Sequence, residues 1–201
     1  MNYDLSNITT KERKVSPYIH YGAGQTLRLN SIELVASKNT GSKRAVLHME
    51  TEPIKDSDFT PIDNAEGKLG KIGCGVYMKN ETQKNEFFMK MKMIADALGL
   101  IDEFNQIKGD SFDEVVEKIS DLICGPKLFA RYTIHGEQYA KADGKIGLRL
   151  FLPRWSFVES LSVPQEDSKL MDFDEGNPKH FVRIAKPEAS ASDNGHDDLP
   201  F

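Results

Sequence analysis

The sequence predicts an α+β fold: a mainly β domain with a helical insert, followed by an acidic tail. Over residues 81–124 the apolar residues recur every three or four positions, as on one face of a helix. On both sides of this stretch they alternate with polar residues, which is the spacing of half-buried strands. From Pro164 onward the periodicity stops, and Pro, Asp, Glu, Ser and Gly dominate. We therefore expect an arm over residues 1–24, a domain over residues 25–163 and a flexible tail over residues 164–201.

Three strands are expected before the helical insert. Residues 27–35 and 45–50 flank the turn-forming cluster Asn39-Thr40-Gly41-Ser42, so they are predicted to form a hairpin. The alternation of the first strand changes parity near Asn30, which indicates a bulge. The third strand, over residues 71–78, alternates cleanly and turns one apolar set towards the core: Ile72, Cys74, Val76 and Met78.

Two helices are expected within the insert. The first carries an apolar stripe that includes Phe87, Met91 and Ile94, and Gly99 is a natural stop for it. The segment Ser111-Phe112-Asp113-Glu114 has the composition of a capping box and opens the second helix. Both apolar stripes are typical of a hydrophobic core rather than of a cofactor site.

Two further strands, over residues 127–135 and 145–152, complete the domain, together with a short segment near residues 157–163. The core set of the fifth strand is predicted to be Ile146, Leu148, Leu150 and Leu152. Three strands, a helical insert and two strands form the element order of the OB-fold, a five-stranded, partly open barrel that often binds oligonucleotides on one face. We therefore predict an OB-fold-like barrel.

Composition places the chain among soluble proteins. The hydrophobic fraction is 39% and the mean hydropathy is -0.48. No apolar run approaches the roughly 20 residues of a membrane span, and no secretory signal is visible, so we expect a cytoplasmic protein that does not contact membranes. Cys74 and Cys124 lie in apolar surroundings and are expected to be buried free thiols. The five histidines show no metal-ligand spacing, so neither a metal nor a cofactor is expected.

The distribution of charge matters more than the net charge of -5. The predicted tail holds the whole acidic excess, whereas the preceding 163 residues are neutral and separate acidic from basic segments. A phosphate backbone senses the local field rather than the total, so a basic face on the domain remains compatible with nucleic-acid binding.

Such a face is predicted on the outer side of three strands. Alternation places cations and aromatic rings there, and single-strand binding needs this combination because cations follow phosphates and flat rings stack on unpaired bases. Trp155, beside Arg154 and just past the last strand, offers another ring. Phe129 and Phe151 could instead lie beneath the helices or in an oligomer interface, and Arg28, Arg44 and His48 are weaker additions. The predicted DNA-contacting residues are Lys71, Tyr77, Lys127, Phe129, Arg131, Lys145, Arg149, Phe151 and Trp155.

The last residues, Asp197-Asp198-Leu199-Pro200-Phe201, combine two carboxylates with an apolar, proline-stiffened end. Such a peptide suits a pocket with an apolar floor and a basic rim. The motif resembles the acidic tip of bacterial single-stranded DNA-binding proteins and of their bacteriophage counterparts. The resemblance covers the tail alone. It implies a chain that coats single-stranded DNA with little sequence preference and recruits replication, recombination or repair enzymes through Asp197, Asp198, Leu199, Pro200 and Phe201. It does not carry over an oligomeric state, and a homodimer is one of the states the sequence allows.

Two other readings stay open. In the first, the chain is an interaction module that uses its tip to capture or block host DNA-processing enzymes without binding DNA. In the second, Asp63 and Glu66 belong to a Mg²⁺-dependent nuclease site, although their spacing is compressed and they sit in a turn-rich loop. No nucleophile elbow or dinucleotide fingerprint is present, so the sequence does not favour an enzyme.

Removal of residues 193–201 tests whether the acidic tip competes with DNA for the basic face. We expect the truncated protein to bind single-stranded DNA more tightly at low salt, because a tethered competitor of like charge is gone. Fluorescence anisotropy of a labelled oligo-dT measures this. Unchanged affinity would exclude the competition.

Overall fold

The computed structural model describes residues 18–36, 42–52 and 67–184, and of Gly75 and Tyr77 the backbone alone. Within these ranges the strands are β1 (Gly22–Ala36), β2 (Lys43–Thr51), β3 (Leu69–Met78), β4 (Phe129–Ala140), β5 (Ile146–Phe151), β6 (Val158–Glu159) and β7 (Phe181–Val182). The α-helices are α1 (Glu81–Ala97), α2 (Ile101–Gln106) and α3 (Phe112–Ile123), and a short 3-10 helix covers Gln165–Asp167. No helix of the described residues is long and apolar enough to cross a membrane.

Five strands close into a ring in the order β1-β2-β3-β5-β4-β1. Long antiparallel ladders join β1 to β2, β2 to β3, and β4 to β1 and β5. The ring is uneven, because β3 and β5 run parallel and are joined by two residue pairs, Ile72↔Leu150 and Gly73↔Phe151. The predicted mainly β fold with a helical insert is thus confirmed, and the sheet is closed in a barrel-like ring.

A bulge bends β1 where the sequence predicts it. The register runs from Leu29↔Met49 to Ser31↔His48, which leaves Asn30 without an opposite residue in β2. The extra residue shifts the alternation by one position. Leu27 and Leu29 therefore face the core before the bulge, and Ile32 and Leu34 pack against it after the bulge.

The interior of the ring and the underside of α1 form one hydrophobic core. The predicted inward residues of β3 are buried, as are Phe87, Met91 and Ile94 on α1. The α1 helix packs against β3 and β6, and α3 packs against β1. Cys74 is fully buried and Cys124 partly buried, and both thiols are free, in agreement with the sequence.

The helix boundaries follow the local chemistry. At the end of α1, Gly99 adopts a φ of +74°, and the backbone N–H groups of Gly99 and Leu100 donate to the carbonyls of Asp96 and Ala95. At the start of α3, the Ser111 hydroxyl accepts from the Glu114 N–H at 3.2 Å. The Glu114 carboxylate reaches one residue further than in an ideal capping box and accepts from the Asp110 N–H.

Lys90 is a buried cation of α1 that joins the helix to the thin contact between β3 and β5. Its Nζ donates to the carbonyl oxygens of Cys74, at 2.6 Å, and Leu152, at 3.3 Å. The ammonium also lies 5.9 Å from the centre of the Phe157 ring. The ammonium thus bonds one carbonyl of β3 and the carbonyl of the residue that follows β5. Burial lowers the pKa of Lys90.

Half of the predicted core set of the fifth strand lies at the surface. Leu150 and Leu152 are buried, whereas Ile146 and Leu148 are 52% and 42% exposed. The reason is that β3 pairs with β5 only from Leu150 onward, so the first half of β5 pairs with β4 alone and its other edge borders an open groove.

The first part of the predicted tail lies against the barrel. β7 pairs with β4 in parallel, and Phe181 is buried with its ring 4.5 Å from the centre of the Tyr21 ring. Gly136 makes this approach possible, since a Cβ there would lie 2.8 Å from the Phe181 ring. The Thr133 hydroxyl donates to the carbonyl of Met171. The burial of Phe181 explains the packing, and we call residues 171–184 the C-terminal strap.

His135 lies between the barrel and the C-terminal strap and makes stability depend on pH. Its ring is 4.9 Å from that of His180, and Nε2 is buried without a hydrogen-bond partner among the described residues. Burial, and then the neighbouring His180, lower the pKa of His135 to about 4. Between this pKa of about 4 and the ordinary value of 6.5, the folded protein therefore binds fewer protons than the unfolded chain.

We expect the free energy of unfolding to be highest above about pH 6.5 and to fall, by on the order of 3 kcal/mol, as the pH drops to the folded pKa. Urea unfolding of His135→Gln should show a flatter dependence over this range. His20→Gln, at an exposed histidine, is the control. Equal slopes for both variants would contradict this role of His135.

Candidate functional site

A groove opens where the ring is thinnest, between the diverging ends of β3 and β5. Its volume is about 800 Å³. We call it the seam groove, and the residues that line it are Tyr18, Ile19, His20, Glu33, Val35, Arg44, Val46, Leu69, Gly70, Lys71, Gly73, Tyr139, Lys141, Leu148, Arg149 and Leu150. It is larger than two neighbouring cavities, of about 220 Å³ beside Phe151 and about 370 Å³ beside Arg154.

The segment before β1 forms one wall of the groove. Tyr18 makes a parallel bridge to Leu69, and the Ile19 N–H donates to the Leu69 carbonyl at 3.0 Å. Ile19 covers Gly70 closely, since a Cβ on that glycine would lie 2.9 Å from the Ile19 Cβ. Tyr18 itself stays 66% exposed. This wall therefore presents both apolar side chains and backbone hydrogen-bonding groups to the groove.

Cations from four positions surround the groove. Arg44 comes from β2, Lys71 from β3, Lys141 from the β4–β5 loop and Arg149 from β5. Glu33 is the acidic residue among the lining side chains. A hydrogen bond with His48 holds the pKa of Glu33 below its ordinary value, and the charges of Lys71 and Arg44 lower it further. The lining thus carries four cations against one carboxylate, which favours an anionic ligand.

Tyr139 of β4 lies directly opposite a glycine of the neighbouring strand β5. Tyr139 pairs with Gly147 of β5, where a Cβ would lie 2.5 Å from the Tyr139 ring. The Arg149 guanidinium carbon lies 5.0 Å from the centre of the same ring and also bonds Glu137 at 3.1 Å. The ring and the guanidinium therefore form one flat, half-exposed unit beside the groove.

Several predicted site residues meet at this place. Lys71 and Arg149 line the seam groove, and Phe151 lines an adjoining cavity together with Arg44 and Arg149. Lys145 lies in the neighbouring loop, 3.5 Å from Asp143, with its side chain 79% exposed. The backbone of Tyr77 pairs with Arg44.

Other predicted site residues lie elsewhere. Arg131 is half-buried and bonds Glu159 at 2.5 Å, so it joins β4 to β6. Phe129 lies 5.8 Å from the Arg28 guanidinium at the β1–β4 ladder, and Lys127 precedes that strand. Trp155 is 48% exposed beyond the end of β5, with the Arg154 guanidinium 4.6 Å from its ring.

The sequence analysis missed Tyr139 and Lys141, because it ends the fourth strand at residue 135 whereas β4 continues to Ala140. The outward alternation that includes Phe129 and Arg131 continues through Glu137 to Tyr139, so the pattern itself contained the signal. Gly147 at the opposite position is the second signal, since cross-strand aromatic residues cover such glycines.

The remaining candidates lie outside the described residues. These are the proposed nuclease carboxylates Asp63 and Glu66 and the whole tip from Asp197 to Phe201. Within the described residues no three His, Cys, Asp or Glu side chains are grouped so that they could hold a metal ion. No known protein family matches the chain, and no curated protein is significantly similar to it.

The pairing of Tyr139 with Gly147 can be tested by adding one methyl group. We expect Gly147→Ala to destabilise the protein by about 1–3 kcal/mol, because the methyl would overlap the Tyr139 ring. In a Tyr139→Ala background the same change should cost much less. A double-mutant cycle of urea unfolding measures the difference. Equal costs in both backgrounds would contradict the contact.

Proposed function

We propose that the protein binds single-stranded DNA in the seam groove and takes no part in catalysis. The observation that carries the proposal is the convergence of Arg44, Lys71, Lys141 and Arg149 beside the Tyr139 ring. Cations at several positions along a groove follow a phosphate backbone, and an aromatic ring stacks on bases of any sequence. Little sequence preference follows from this chemistry.

The strand order supports the same proposal. A ring in the order β1-β2-β3-β5-β4-β1 with the helices between β3 and β4 is compatible with the OB-fold that we propose for this barrel. OB-folds bind oligonucleotides on the face of their second and third strands and with the loops after the first and fourth strands. Arg44 and Lys71 belong to that face, and Lys141 belongs to the β4–β5 loop.

The acidic tip supplies the second half of the proposed function. By its resemblance to the tips of bacterial and phage single-stranded DNA-binding proteins, Asp197 to Phe201 would recruit replication, recombination or repair enzymes. A body that holds the strand and a tip that holds an enzyme would together deliver the enzyme to exposed DNA.

A second candidate function is that of an interaction module that captures or blocks DNA-processing enzymes without binding DNA. The observation that favours it is the apolar part of the groove, where Tyr18, Leu69 and Leu148 are 66%, 49% and 42% exposed. Such side chains suit a protein partner as well as a stacked base. If the chain is such an interaction module, deletion of Phe201 should abolish its function, whereas charge reversal in the groove should leave that function intact.

Charge reversal in the groove separates the two functions. We expect Lys71→Glu with Arg149→Glu to weaken oligo-dT binding about 100-fold, because two phosphate contacts become repulsive. The slope of log K against log salt should become shallower by about 1.4, which corresponds to two contacts at 0.7 each. Fluorescence anisotropy with a labelled oligo-dT of ~30 nucleotides at several salt concentrations measures both quantities.

Lys92→Glu with Lys108→Glu is the matched control, since it makes the same charge change at exposed residues that do not line the groove. We expect it to bind within about twofold of the unaltered protein, because only the distant field changes. An equal loss of affinity in both double variants would show that binding depends on the overall charge of the protein and not on the groove. If the protein with its groove residues unaltered does not bind oligo-dT at low salt, even after the tip is removed, the interaction module remains as the function.

A further inference from the structure

The seam groove continues past Phe151 to the far end of β5. A second cavity of about 220 Å³ shares Arg44 and Arg149 with the groove and ends at Phe151. A third, of about 370 Å³, is also lined by Phe151 and reaches Arg154. The three spaces are therefore lined by successive residues along β5 and just past it, and the second and third share Phe151 as a lining residue.

The third cavity, which we call the corner cavity, has a cationic lining of its own. Lys90, Arg154 and Lys179 line it, against the single carboxylate of Glu86. The Arg154 guanidinium stands 3.9 Å from that carboxylate, a long and solvent-exposed ion pair that leaves most of its donors available. Lys179 makes no ion pair among those formed by the described residues. The corner cavity thus has an excess of positive charge.

A flat ring lies directly beside these cations. The Arg154 guanidinium stacks on Trp155, and about half of the Trp155 side chain remains exposed. A cation for a phosphate and an open ring for a base are thus adjacent, as they are at Arg149 and Tyr139 in the seam groove. The same pairing of groups occurs at both ends of β5.

The C-terminal strap builds the other wall of the corner cavity. Lys179 and His180 belong to the strap, and their position is fixed by the burial of Phe181 and by the pairing of β7 with β4. The His180 ring is held by the backbone N–H of Asp174, which donates to Nδ1 at 3.1 Å. The strap is therefore part of a preformed surface rather than a linker that passes over it.

We propose that the corner cavity is a second phosphate-binding subsite, which takes the same DNA strand after it crosses Phe151. The inference rests on the proposed function, because it extends the path of a strand already bound in the seam groove. Arg154 and Lys179 contact the phosphate, and Trp155 stacks on the adjoining base. Short strands fill the seam groove alone, and longer strands reach both ends of β5.

The length of the oligonucleotide and the single tryptophan of the chain test this subsite. The probes are ~6-mer and ~20-mer oligo-dT, the first near the lower end of the range that one such domain covers, about 4–16 nucleotides, and the second beyond its upper end. The variant is Arg154→Glu with Lys179→Glu, and the control is Lys169→Glu, an exposed cation that does not line the cavity. We expect the variant to bind the longer strand about tenfold more weakly and the shorter strand unchanged. Unchanged binding of the shorter strand also shows that the variant is folded.

Tryptophan fluorescence gives a second readout, because Trp155 is the only tryptophan and its ring lies 4.6 Å from the guanidinium of Arg154, which lines the corner cavity. We expect quenching by the longer strand alone. If the unaltered protein binds both oligonucleotides and the variant binds them equally well, the subsite is overturned and the seam groove is the only binding site that remains proposed. A fluorescence change with inorganic phosphate, but none with the longer strand, would assign the cavity to a free anion and overturn the proposal. No binding of either strand by the unaltered protein would overturn the proposed function itself.

Discussion

The closure of the sheet through β1 is the constraint on which the rest of the structure depends. Leu27 and Arg28 lie between two ladders, one to β2 and one to β4, whereas the end of β1 pairs with β2 alone. The ladder to β4 ends at Arg28, and the bulge at Asn30 bends β1 just beyond that point while its pairing with β2 continues. When β1 pairs with β4, the inner faces of the five strands enclose a core. The curvature of this ring brings β5 alongside β3 over only two residue pairs.

The thin contact between β3 and β5 is therefore both a weak point and the origin of the groove. Two residue pairs, one N–H of Leu152 bonded to the Gly73 carbonyl, and the Lys90 ammonium hold this part of the ring. A buried ammonium is costly unless its hydrogen bonds are satisfied, and here it supplies donors where a ladder would otherwise have supplied them. The strands diverge beyond this point, and the exposed cations and apolar side chains of the groove occupy the gap.

Much of the fold could be predicted because its signals are local. The parity change at Asn30, the stop at Gly99 and the Ser111 cap each depend on a few neighbouring residues, and the structure contains all three. The site was less predictable, since alternation says which face a residue takes but not which strand lies beside it. Arg131 and Arg149 share the outer face by that rule, and each bonds a glutamate. Arg131 is nevertheless largely buried against Glu159, whereas Arg149 stays about half exposed beside the groove. The exposure of Leu148 has the same cause: it depends on where β3 leaves β5.

The pairing of β1 with β4 also determines the order in which the chain can fold. The hairpins β1–β2 and β2–β3 join neighbours in sequence, whereas Leu27 must find Ala130 across the whole helical insert. Contacts of such long sequence separation slow folding, because loop closure costs entropy before any ladder forms. During synthesis the three-stranded meander emerges first, with the outer edges of β1 and β3 both unpaired. Such edges are sites of intermolecular pairing, so the nascent chain is most prone to aggregation between the completion of β3 and the arrival of β4.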